Sequence, residues 1–122
     1  MNSCWMESDR ICRLRNINRA IMELDAEFQS LFGLNLNEAM ALCTLNQKGR
    51  MSAGELSSEL GLTTSNMSKV LSSAEKKGLL VRTLGPTDRR SMIFRLTPEG
   101  KRRLDTVRCD RMRIPDILSG LF

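Results

Sequence analysis

A mainly α-helical fold with a small β-hairpin wing is predicted for this chain of 122 residues by three observations. Two short amphipathic stretches on either side of Gly61 have helical spacing and good caps. Two short apolar runs, Leu79–Leu84 and Ser91–Leu96, flank the turn residues Gly85-Pro86-Thr87-Asp88. Thr97-Pro98-Glu99 then opens another helix. A helix pair, a hairpin and a capped helix, in that order, make a winged helix-turn-helix, which places one helix in a DNA groove.

The length suits one domain, residues 1–122. The net charge is +5, and it is unevenly placed: residues 1–47 carry −2 and residues 48–115 carry +8. A basic half beside a slightly acidic one points to a single polyanion-facing surface. The chain has no His and no Tyr, which removes the commonest general base and metal ligand. Cys4, Cys12, Cys43 and Cys109 form no CxxC pair, so neither a zinc site nor a secreted disulfide framework is expected. The expectation is no metal, no cofactor and no enzymatic activity. The N-terminus lacks the apolar core of a signal peptide and no apolar run approaches membrane-spanning length, so a cytoplasmic protein without membrane contact is expected.

From about Trp5 to Phe32 the spacing predicts one long helix. Leu14, Ile17, Ile21, Leu24, Phe28 and Leu31 recur every three or four residues. Such a helix, about 40 Å long at 1.5 Å per residue, overhangs a small domain, and a second subunit is the expected cover. A core helix folded back on its own domain is the alternative. Gly33 is the expected C-cap, and Asn37 the N-cap of a second helix with Glu38 in its first turn. Ala39, Leu42, Cys43 and Leu45 are its expected buried side. Ser52 and Glu55 make a capping box for a third helix with Leu56 and Leu60 in the core, and Gly61 makes the turn.

The fourth helix is expected from Thr63 or Thr64 to Gly78. Met67, Val70, Leu71 and Ala74 share one face, and Ser65, Lys69, Ser72 and Lys76 the opposite one, flanked by Asn66, Ser68 and Ser73. Small hydroxyls, an amide and lysines suit close approach to bases and phosphates; a solvated polar face is the plainer reading. Asp88-Arg89-Arg90 sits at the hairpin tip, where paired arginines can enter a narrow minor groove. Asp88 can also pair with Arg90, with or without DNA. The last helix, opened by Thr97, is strongly basic up to Pro115. Ile114, Ile117, Leu118, Leu121 and Phe122 then form a C-terminal apolar stripe, expected to dock on the partner's first helix.

Asp88-Arg89-Arg90-Ser91-Met92-Ile93-Phe94-Arg95-Leu96-Thr97-Pro98-Glu99-Gly100 is similar to the wing signature of the MarR family (multiple antibiotic resistance regulators). That signature is Asp, any residue, Arg, then an apolar strand closing on Leu-Thr with a Gly three residues later. Glu75-Lys76-Lys77-Gly78-Leu79-Leu80 resembles the family's junction between recognition helix and wing. Leu56-Ser57-Ser58-Glu59-Leu60-Gly61-Leu62 resembles its first helix-turn-helix element. The resemblance implies a homodimeric regulator. Residues 35–100 would form the DNA-binding winged helix, and residues 1–34 and 101–122 the dimerisation helices. It places Leu14, Ile17, Ile21, Leu24, Phe28, Ile114, Ile117, Leu118, Leu121 and Phe122 at the dimer interface. It makes the helix from Thr64 the recognition helix and Arg90 the wing-tip arginine.

The expected partners are double-stranded DNA, a second copy of the chain and a small-molecule effector that releases a repressor from a pseudo-palindromic operator. Ser65, Asn66 and Ser68 are the expected base readers, with Thr64, Lys69, Ser72, Lys76, Arg89 and Arg90 completing the DNA-binding set. Two other readings stay open. A thiol-sensing member of the family would use Cys12 or Cys4; Arg10, Arg13 and Arg15 flank Cys12, but the tyrosines that assist the family's reactive thiolate have no counterpart here. A winged helix used for protein assembly would bind no specific DNA.

Overall fold

The computed structural model describes residues 7–85, 92–107 and 113–121. These fall into two compact units, one from residues 7–35 with 113–121 and the other from residues 36–107.

The first unit is dominated by α1, Glu7–Phe32, whose 26 residues span about 39 Å. Gly33 ends it with φ of 70°, its N–H donating to the Gln29 carbonyl at 3.0 Å. The predicted apolar stripe divides into two faces. Ala20 and Leu24 are buried with Leu118 of α6, Asp116–Ser119, and Ile17 and Ile114 pack against this cluster. Ile114 and Leu118 therefore pack on the first helix of their own chain, where docking on a partner's helix was expected. Pro115, extended at φ −55° and ψ 141°, precedes the single helical turn that carries Leu118. Spacing shows that a stripe is buried, but not whose helix buries it. Ile11, Leu14 and Ile21 point outward, with Leu14 63% exposed. Ile117 and Leu121 are exposed too. Phe28 is buried and meets Phe32 edge-on, ring centroids 4.9 Å apart. Phe122 lies outside the described residues.

The second unit begins with α2, Leu36–Lys48. Asn37 lies inside this helix and is not its N-cap, because the helix starts at Leu36, two residues before the start that a cap at Asn37 implies. Glu38, Ala41, Leu42 and Leu45 follow i, i+3, i+4, i+7 spacing and are buried. Cys43 is exposed, a correction to its expected core position: it falls about 100° round the helix from Leu42, off this stripe.

Strand β1, Met51–Ser52, leads into α3, Ala53–Leu60. The capping box forms as the residues predict. Ser52 Oγ accepts from the Glu55 N–H at 3.1 Å, and the Ser52 N–H donates to Glu55 Oε1 at 2.9 Å. Gly61, at φ 70°, closes α3. Helix α4, Thr64–Lys76, follows, then β2, Leu80–Leu84, and β3, Met92–Leu96. The antiparallel sheet has the order β1-β3-β2, with Met51 opposite Phe94 and Arg82 opposite Phe94 on the other side. Helix α5, Pro98–Asp105, packs on α2 and β3. Residues 101–107, assigned by the resemblance to the dimerisation arm, thus belong to the winged-helix unit. Leu42, Leu45, Leu56, Met67, Leu71, Leu79, Leu80 and Phe94 form its core.

The start of α5 is fastened to the α4–β2 junction. Thr97 Oγ1 donates to the Gly78 carbonyl at 2.6 Å and accepts from the Gly100 N–H at 3.0 Å. The Thr97 N–H donates to the Leu79 carbonyl at 3.1 Å. A Cβ on Gly100 would lie 1.9 Å from that same Leu79 oxygen. The Gly of the Leu-Thr-Pro-Glu-Gly run is therefore a close-approach residue. Gly100→Ala is expected to lower unfolding free energy by about 1–3 kcal/mol, the usual cost of overpacking. Denaturant titration checks this, and an unchanged midpoint would mean that α5 can slide away from Leu79 without cost.

Candidate nucleic-acid interface

Thr63 starts α4 by accepting from the Asn66 N–H at 3.1 Å. Met67, Val70, Leu71 and Ala74 are buried beneath it, as their spacing predicts. That burial turns the rest of the helix outward. Thr64, Ser65, Asn66, Ser68, Lys69 and Lys76 are exposed and Ser72 is half-buried. Ser68, Lys69, Ser72, Ser73 and Lys76 line one shallow, open groove. The residues expected on one face of α4 thus stand together. Small side chains leave its backbone approachable, and lysines supply charge.

Two ties hold the C-terminal end of α4, and neither was read from the residues. Glu38 of α2 is wholly buried. Its carboxylate accepts from Ser73 Oγ at 2.7 Å and from Lys77 Nζ at 2.8 Å. It also lies in the first turn of α2, where the helix dipole favours negative charge. On the other side, Arg82 of β2 grips Glu75. Arg82 Nη2 lies 2.6 Å from Oε1, and Nε lies 3.1 and 3.0 Å from Oε1 and Oε2. The guanidinium carbon sits 5.5 Å from the centre of the Phe94 ring. The hydrogen bonds from Arg82 hold the Glu75 carboxyl below the usual carboxylate range, and the same pair raises the Arg82 guanidinium. The Ser52 N–H, then its hydroxyl, lowers the Glu55 carboxyl likewise.

Arg95 and Lys101 are exposed, while Arg102 pairs with Glu99 at 2.6 Å. Asp88, Arg89 and Arg90, with the expected Asp88–Arg90 salt bridge, lie outside the described residues, as does Cys4. Cys12 is half-buried on α1. Among the described residues, no cluster of His, Cys, Asp or Glu could hold a metal, and no helix is long and apolar enough to cross a membrane.

Two predictions follow from the ties. Ser73→Ala withdraws a donor from a buried carboxylate and is expected to cost about 1–3 kcal/mol in denaturant titration; a neutral effect would remove Ser73 from the anchor. Glu55 and Glu75 have folded pKa values below their unfolded ones. Their contribution is present above the unfolded carboxylate value and is lost as pH falls through the lower folded value. Stability should therefore drop on acidification below about pH 4, and Glu75→Gln should flatten that limb. An identical acid limb in the variant would contradict the tie.

The sequence profile described as the MarR family matches residues 34–92. PapX of Escherichia coli, named an HTH-type transcriptional regulator, is 31% identical over 86 residues, covering 69% of this chain and 52% of PapX. YkoM of Bacillus subtilis, named an uncharacterized HTH-type transcriptional regulator, is 33% identical over 90 residues, covering 73% of this chain and 58% of its own length. The chain thus spans little more than half the length of these two relatives. Among solved structures, the transcriptional regulator BldR of Sulfolobus solfataricus superposes with a TM-score of 0.74 at 22% identity, over 99% of this chain and 82% of that one. A mutant MarR from E. coli, complexed with operator DNA, gives 0.73 at 18% identity, over 99% and 85%. A MepR-like protein complexed with pseudoligands gives 0.75 at 21%, over 98% and 82%. These likenesses show a shared fold, and residues 34–92, which hold the helix-turn-helix described above, form a segment of the MarR family.

Proposed function

We propose that this chain is a sequence-specific, double-stranded DNA-binding transcriptional regulator that acts as a homodimeric repressor. The observation that carries this reading is the outer face of α4: hydroxyls, one amide and two lysines, on a helix held at both ends. Recognition helices of this kind read base edges with their N-terminal residues. Ser65, Asn66 and Ser68 take that role here, and Asn66 has the amide that pairs with adenine. Lys69, Lys76 and Arg89 contact phosphates, Thr64 and Ser72 line the approach, and Arg90 enters the minor groove. The fold neighbour from E. coli, crystallised on operator DNA, supports the assignment.

The outward face of α1, with Ile11, Leu14 and Ile21 exposed, suits a second copy of the chain. Leu24, Phe28 and Leu118 are already buried within the chain, so their share in the interface is smaller than the resemblance implies. Release from a pseudo-palindromic operator by a small-molecule effector completes the proposal. It is supported by the MepR-like neighbour that holds pseudoligands.

The test is fluorescence anisotropy with a duplex from the gene's own upstream region and a scrambled duplex, across a salt series. Preferential binding that weakens steeply with salt is expected, and Lys69→Ala should lower the slope by about 0.9 for one lost phosphate contact. No binding to any duplex even at low salt would favour a protein-assembly module instead. For the dimer, Leu14→Asp is expected to give a folded monomer in sedimentation, and a persistent dimer would place the interface elsewhere.

A further inference from the structure

We propose that Arg82 is a positioning residue: held by Glu75 and lying over Phe94, it latches the wing hairpin to the last turn of α4, so that helix and wing meet DNA as one rigid surface. This rests on the DNA-binding reading above. Arg82 stands in the basic half of the chain on an exposed strand, so by charge alone it would count among the phosphate contacts. Its geometry says otherwise. Nε and Nη2 are both engaged by the Glu75 carboxylate, the closest approach being 2.6 Å. One face of the guanidinium is covered by the ring of Phe94. The Glu75 carboxylate already occupies the Nε edge of the guanidinium and offsets its charge, which weakens its pull on a phosphate.

The latch joins the end of α4 to the hairpin at a second point, beyond the junction that Gly78, Leu79 and Thr97 already hold. Glu75 lies one residue before the end of α4, and Arg82 lies in the middle of β2. Arg82 and Phe94 are register partners, so the contact spans both strands of the hairpin. Phe94 is buried and also pairs with Met51 of β1, which ties the latch to the core. On the far side of the same turn, Ser73 and Lys77 reach Glu38. The end of α4 is thus gripped from the wing and from α2 at once.

The test compares Glu75→Gln, Arg82→Gln and the exchanged pair Glu75→Arg with Arg82→Glu, by anisotropy with the upstream duplex across a salt series. Glu75→Gln separates the two roles. If Arg82 positions the wing, freeing it should weaken binding by about tenfold, the scale of a hydrogen-bonded charge pair. If Arg82 contacts phosphate, removing its competing carboxylate should tighten binding, and that result would overturn the proposal. Arg82→Gln is expected to weaken binding with an unchanged salt slope; a slope lower by about 0.9 would mark a direct phosphate contact. The exchanged pair should restore affinity. Hydrogen exchange without DNA provides a second readout: faster exchange in β2 and β3 of Glu75→Gln, with α2 unchanged, is expected, and unchanged β2 and β3 would overturn the latch. Failure of wild type to bind any duplex would sink the function reading, while the exchange data would still decide whether the latch exists.

Discussion

A carboxylate with no access to water must be answered by donors, and Glu38 takes its donors from α4. This fixes more than one contact. Ser73 and Lys77 lie one helical turn apart, so satisfying Glu38 sets both the rotation and the axial position of α4 against α2. The apolar face of Met67, Val70, Leu71 and Ala74 then meets the core, and the polar face can point only outward. The exposed lysines and hydroxyls of the candidate interface are displayed by that constraint. They contribute little to the fold that displays them.

The same turn passes the constraint on. Glu75 carries it to β2 through Arg82, and Gly78 and Leu79 carry it to α5 through Thr97. The close approach of Gly100 to the Leu79 carbonyl leaves α5 little freedom to drift. A site on α4 is thus supported by α2, α3 and the sheet, and the junction that follows the helix is held by α5. Precise presentation of a few side chains to a rigid partner such as a duplex needs such support, because small displacements remove several contacts together.

Much of the fold was legible in the residues because caps and periodicity act locally. Thr63, the Ser52–Glu55 box, Thr97-Pro98 and the glycines at 33 and 61 sit where their chemistry requires. The outer face of α4 was legible for the same reason. Long-range facts were not. A Glu in a first turn normally faces solvent near the positive end of the dipole, and nothing local to Glu38 announces Ser73 and Lys77, 35 and 39 residues away. The two-residue β1 is too short to show a period. Glu75 and Arg82 were visible as residues within and beside the junction motif, but their pairing depends on how the hairpin folds back. The apolar residues of α1 and the C-terminus have the same spacing whether they pack within one chain or between two. Ala20, Leu24 and Leu118 resolve that locally, and they leave Ile11, Leu14 and Ile21 as a separate outward face.

On the proposed reading, the outer face of α4 is where this chain meets DNA. The most direct measurement is amide chemical-shift mapping of the 15N-labelled protein during titration with the upstream duplex. Shifts should concentrate on Thr64 to Lys69 and on β2 and β3, and leave the outward face of α1 at Leu14 and Ile21 unmoved. Shifts confined to α1, or spread evenly over the basic surface with the α4 residues unaffected, would contradict it.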